Sequence, residues 1–114
     1  MKVLKSDFSK ILMVSALILS PGAVWADVNV QLARTKQCLA CHQVDTRRVG
    51  PAFTVIAERY AGAPGARQYL ADTIRQGSRA KWGAIPMPAQ PQVGQLDAIQ
   101  LAGWILSLTG KSEP

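Results

Sequence analysis

The chain has 114 residues, 48% of them hydrophobic, with 13 Lys plus Arg against 7 Asp plus Glu and a formal net charge of +6. That length suits one compact domain, and no repeat, low-complexity segment or linker marks a second. The basic residues are scattered, with no long run interleaved with aromatics, which speaks against a nucleic-acid partner.

Residues 1–26 read as an export signal. Lys2, Lys5 and Lys10 precede an apolar run from 11 to 19, followed by Ser20-Pro21-Gly22, taken as a helix break, and the small-residue end Val24-Trp25-Ala26. The apolar run is shorter than the roughly 18 residues needed to span a bilayer, so cleavage after Ala26 is expected, with an uncleaved tether as the alternative. Removing 26 of 114 residues leaves 88, a domain at 27–114 with 10 basic and 6 acidic side chains and a net charge of +4. So small a core calls for a staple or a cofactor.

Asp27 is placed to cap a helix from 28 to 38, accepting from the free amides of its first turn. Then comes Cys38-Leu39-Ala40-Cys41-His42, which holds both cysteines and the only histidine. Three chemistries compete for this pattern. A redox disulfide of the thioredoxin kind expects a βαβ setting and has no use for the histidine. Structural zinc expects four ligands, and a carboxylate would have to complete the set. Covalent haem attachment uses all three residues: two thiols on one turn add to the porphyrin vinyl groups and His42 points at the iron. Haem c is therefore the favoured cofactor, with the carbonyl of Pro51 as the nearest acceptor for the other ring nitrogen of His42.

A second helix is expected from 53 to 61, with Phe53, Ile56, Ala57 and Tyr60 on one face and Gly62 as its end. A third spans 65 to 76, with Ala66, Tyr69, Leu70, Thr73 and Ile74 inward and Gly77 as the stop. From 77 to 93 the glycines and prolines of GSRAKWGAIPMPAQPQV exclude a helix interior and leave an apolar loop. Met87, between Pro86 and Pro88, is the only methionine after residue 26. It is the natural sixth ligand, and a His/Met pair suits electron transfer rather than catalysis. The last helix runs from 95 to 109 behind a weak Gly94 cap, with Ala98, Leu101, Ala102, Ile105 and Leu108 as its apolar stripe. Gly103 within it implies that a backbone or a ring approaches closely.

Cys38 to His42, DTRRVGPAF at 45–53, GSRAKWGAIPMP at 77–88 and LAGWILS at 101–107, in this order, make the chain resemble the small bacterial class I cytochromes c of the cytochrome c-551 type. The resemblance covers nearly all of the chain after residue 26. It implies an all-α fold of about four short helices around one haem, the first and last crossing. It also implies Pro51 as the carbonyl partner of His42, Met87 as the distal ligand and Trp82 as a donor to a haem propionate, with Arg75 loosely matching a basic position nearby. Trp104 is expected to pack between helices. Two departures are Ala33, where relatives carry a large aromatic, and Gln90, in place of asparagine, whose amide is placed to approach the Met87 sulfur.

The function so implied is non-enzymatic: a monomeric, soluble periplasmic electron carrier with no stable membrane association. Its donor would be a quinol-oxidising complex and its acceptor a terminal reductase or oxidase, by resemblance a nitrite reductase of the cytochrome cd type in denitrification. The alternatives are a haem subunit docked in a larger oxidoreductase and a ligand-binding haem protein with an open distal site. Docking is expected at an apolar edge formed by Leu39, Ala40, Val49, Ala84, Ile85, Pro86 and Pro88, ringed by Arg34, Lys36, Arg47 and Arg48.

Overall fold

The computed structural model describes residue 17 and residues 21–110, so most of the expected export signal lies outside the described residues. Four α-helices follow in order: α1 (Pro21–Thr35), α2 (Phe53–Tyr60), α3 (Ala66–Gln76) and α4 (Gln95–Leu106), with a single 3-10 turn, Cys38–Ala40, between the first two. Among the described residues there is no strand, only an isolated antiparallel bridge between Ser78 and Met87. None of these helices is long and apolar enough to cross a membrane.

The first helix departs from expectation at both ends. It begins at Pro21 rather than after Asp27, which lies inside it and is not its cap. The reason is that proline is well tolerated in a first helical turn, where its missing N–H would have no partner anyway. Its C-terminus comes at Thr35 and not at Cys38, because Gln37 adopts a left-handed φ of 64°. The second helix ends at Tyr60, one residue early, and the last gives way to turns after Leu106 rather than continuing to 109.

α4 is the hub, packing against α1, α2 and α3. It contributes Ala98, Leu101, Ala102, Trp104 and Ile105 to a core completed by Phe53, Ile56 and Ala57 of α2 and Leu70, Ala71 and Ile74 of α3. Ala33 is fully buried where α1 enters this core, and Leu39 packs against the same cluster. Across α1 and α4, Lys36 pairs with Asp97 at 3.1 Å and Gln100 donates to Asn29 at 3.1 Å. The close approach at Gly103 is made neither by backbone nor by a ring. The Arg67 guanidinium fills it, with Nε 3.0 Å from where a Cβ would stand and donating to the Ile99 carbonyl at 3.1 Å.

Candidate functional site

The left-handed Gln37 turns the chain out of α1 into the 3-10 turn, where the Cys38 carbonyl accepts from the amides of Cys41, at 3.2 Å, and His42, at 3.0 Å. Both thiols and the imidazole are thereby gathered on one tight turn. Cys38 and Cys41 are not joined to each other. Burial pushes the Cys38 thiol up, partly offset by a backbone hydrogen bond, so the free thiol is protonated at neutral pH and ill suited to thiolate exchange. No cluster of three or more His, Cys, Asp and Glu side chains able to hold a metal occurs among the described residues.

The loop after His42 folds back onto the turn. The Gly50 amide donates to the Cys41 carbonyl at 2.8 Å, and the amides of Phe53 and Thr54 donate to the carbonyls of Gln43 and Val44, both at 3.0 Å. This brings the Pro51 carbonyl 2.8 Å from Nδ1 of the buried His42. A carbonyl oxygen can only accept, so Nδ1 donates there and Nε2 is the nitrogen free to face the cavity. The imidazole also stacks on Phe53, with ring centroids 5.1 Å apart and an 18° angle. Trp104 lies edge-on to the far partner of that stack, 5.4 Å from Phe53, between helices as expected.

Cys38, Cys41 and His42 open onto a mainly apolar cavity of about 360 Å³, a size typical of small-molecule sites. Ile56, Leu70, Ile74, Leu101 and Ile105 line it from the core helices, and Ile85, Pro86, Met87 and Pro88 from the long loop. Met87 is half-buried. Its amide and carbonyl exchange hydrogen bonds with Ser78, each 2.9 Å, and the Gln90 amide donates to the Ile74 carbonyl at 3.1 Å. The methionine backbone is thus fastened to the end of α3. Two thiols, an imidazole with one nitrogen engaged, a thioether and apolar walls fit a porphyrin attached by thioether bonds.

Trp82 also lines the cavity, and Arg59 lies over its ring, Cζ 4.4 Å from the centroid, while donating to the Lys81 carbonyl at 2.7 Å. Tyr60, Tyr69 and Lys81 complete this part of the lining. Hydrogen bonds from Lys81 and Tyr60 hold the Tyr69 phenol below its usual range, whereas burial and the bond to Tyr69 push Tyr60 up. Sequence reasoning took the two tyrosines only as inward helix residues and missed Arg59 altogether. Nothing in spacing alone announces a guanidinium over an indole.

Three further residues named from the sequence have partners of their own. Arg75 does not line the cavity; it donates to Gln95 at 2.6 Å. The Gln90 side-chain amide donates to the Pro88 carbonyl at 2.9 Å, and Gln90 lines the cavity together with Met87. Lys36 pairs with Asp97 and donates to the Gln92 carbonyl at 3.4 Å. Arg47 reaches toward the long loop, its Nη2 4.0 Å from where a Cβ on Gly83 would stand, and Val49 and Ile85 are 44% and 63% exposed.

The family model described as Cytochrome c matches residues 30–109. The chain is 48% identical to cytochrome c-552 of Nitrosomonas europaea over 86 residues, 75% of this chain and 84% of that protein. It is 43% identical to cytochrome c-551 of Pseudomonas aeruginosa over 96 residues, 84% of this chain and 90% of that one. The crystal structure of wild-type Nitrosomonas europaea cytochrome c552 superimposes with a TM-score of 0.69 at 49% identity, covering 70% of this chain and 99% of that chain. The chain therefore belongs to the cytochrome c family, as a small class I member that carries haem c covalently on Cys38 and Cys41 and transfers electrons.

Proposed function

We propose that the chain is a soluble periplasmic one-electron carrier whose haem iron is held by His42 and Met87. The observation that carries this is the arrangement of the cavity: Met87 lines it together with His42 and both cysteines, on a backbone fastened by two hydrogen bonds to Ser78. When bound, the haem supplies a metal centre that gains and loses one electron. The protein's part is to hold two ligands still, exclude water with apolar walls, and leave one edge approachable. The Pro51 carbonyl strengthens His42 as a donor by accepting from Nδ1. Trp82 is assigned to a propionate, on the strength of the family resemblance and of its place in the cavity lining.

Residues 1–26 act as the export signal and leave the domain at 27–114. Cleavage after Ala26 would cut α1 and remove Trp25, which is 67% exposed. The electron comes from a quinol-oxidising complex and goes to a terminal reductase or oxidase, with a nitrite reductase as the leading acceptor. The carrier is monomeric and catalyses no reaction of its own.

The test is spectroscopic. The ferric protein should show the weak far-red sulfur-to-iron band, and the ferrous protein should not bind carbon monoxide at neutral pH. Met87→Ala should lose the band and gain carbon monoxide binding. Ready binding by the unaltered protein would instead favour an open distal site and defeat the carrier proposal.

A further inference from the structure

We propose that Gly50 is a positioning residue for His42: its missing side chain, together with the Phe53 ring, fixes the plane in which the imidazole meets the iron. The inference rests on the ligation of iron by His42 set out above.

A Cβ built on Gly50 would lie 2.6 Å from Cε1, 2.9 Å from Nδ1 and 3.1 Å from Nε2 of His42. Such similar distances to three consecutive ring atoms put that Cβ over the face of the imidazole. An approach in the ring plane would leave both nitrogens much further off than the carbon between them. The Gly50 backbone has no left-handed φ, so alanine could adopt it. The need for glycine at this point therefore comes from the ring and not from the chain's own conformation.

The contact is rigid on both sides. Gly50 donates its N–H to the Cys41 carbonyl at 2.8 Å and accepts from the Arg48 amide at 3.2 Å, which ties it to the haem-attachment turn itself. Phe53 stacks nearly parallel to the imidazole, and Trp104 packs edge-on against Phe53 in the core. The third restraint is the 2.8 Å bond from Nδ1 to the Pro51 carbonyl. A turn of the ring either drives it into Gly50 and Phe53 or pulls Nδ1 off the carbonyl. Close-packed interiors do not give way to such a clash without moving something.

The consequence is electronic. With haem bound, the plane of the His42 ring would, together with the second ligand, help set which iron orbital carries the unpaired electron of the ferric state, and the bond at Nδ1 would tune how strongly the ring donates. Gly50→Ala would push the ring off its plane and stretch that bond, weakening the donor and favouring the ferrous state.

The experiment compares the haem-loaded unaltered protein with Gly50→Ala and Phe53→Leu by proton NMR of the ferric state and by reduction potential. Gly50→Ala is expected to alter the order or spread of the hyperfine-shifted haem methyl resonances and to raise the potential, while the Met87 far-red band persists. Phe53→Leu, which keeps apolar bulk but removes the flat face, is expected to alter the methyl pattern as well. Variants that only lose thermal stability, with methyl pattern and potential unchanged, overturn the proposal. Should Gly50→Ala fail to mature with haem, Phe53→Leu decides by the same readout. Hyperfine-shifted His42 ring protons in the unaltered protein separate the two levels: their absence overturns the ligation itself, whereas their presence with unchanged variants overturns only the positioning role.

Discussion

Gly77 stands where α3 stops and the Met87 segment returns beside it. Its φ of +79° is left-handed, and a Cβ there would meet the Met87 carbonyl oxygen at 2.6 Å and the Ala89 nitrogen at 2.8 Å, backbone atoms that cannot step aside. Gly77→Ala is expected to cost at least about 1–2 kcal/mol from backbone conformation alone. It should also displace Met87, seen as a weakened far-red band and a lower Tm; an unaltered band would show that this glycine does not place the sulfur. At this scale the sequence was most readable where chemistry restricts residue type. Two cysteines, one histidine and one methionine past residue 26 leave few combinations, and these residues do meet at one cavity. Contacts that accept many partners were not readable. Arg59 over Trp82, or Lys81 against Tyr69, depends on how two helices and a loop meet. Gly103 shows the boundary between the two: a glycine inside a helix signals that something comes close, and only the fold says that it is Arg67.

Among the helices, α4 bears most of the packing, and its two faces should respond differently to mutation. Leu101 is 1% exposed and lines the cavity as well as the core, so Leu101→Ala is expected to cost about 2–5 kcal/mol. Asp97→Asn, which breaks the 3.1 Å pair with Lys36, should cost no more than about 1 kcal/mol, because both side chains remain in contact with water and the pair is screened. Chemical denaturation of the two haem-loaded variants checks the contrast, and similar losses would contradict it. The interiors of α2, α3 and α4 were legible because their apolar residues recur at helical spacing and glycines close the first two. The start of α1 was not, since Pro21-Gly22 reads equally as a break or as a first turn when no packing partner is in view. Cys38 was assigned to the helix for a related reason. A glutamine in left-handed conformation at 37 carries no sequence signal of its own.

Viewed whole, the domain surrounds its cavity with side chains that would otherwise form a larger dry core. Ile56 of α2, Leu70 and Ile74 of α3, and Leu101 and Ile105 of α4 all face that one space. The double variant Cys38→Ala with Cys41→Ala, unable to attach haem, should therefore show little helical circular dichroism, as a chain this small has few other contacts to replace the porphyrin. A cooperatively folded apoprotein of native helicity would contradict the account. The surface makes a second whole-molecule prediction. Arg47, Arg48, Val49 and Ile85 are all exposed. Electron transfer to an acidic partner should accordingly slow with added salt, and slow further in Arg47→Glu with Arg48→Glu at unchanged potential, because long-range attraction steers encounter. Salt-independent rates, identical in the two proteins, would remove the steering role. The clasp between Ser78 and Met87 bears on the same surface in another way. It closes residues 79–86 into a flap whose two ends are held by the same pair of hydrogen bonds. Arg79 and Ala84, which do not line the cavity, can therefore be exchanged for other side chains while the methionine stays at its anchor, so the outer surface of the flap and the proposed iron ligand can diverge on separate evolutionary paths.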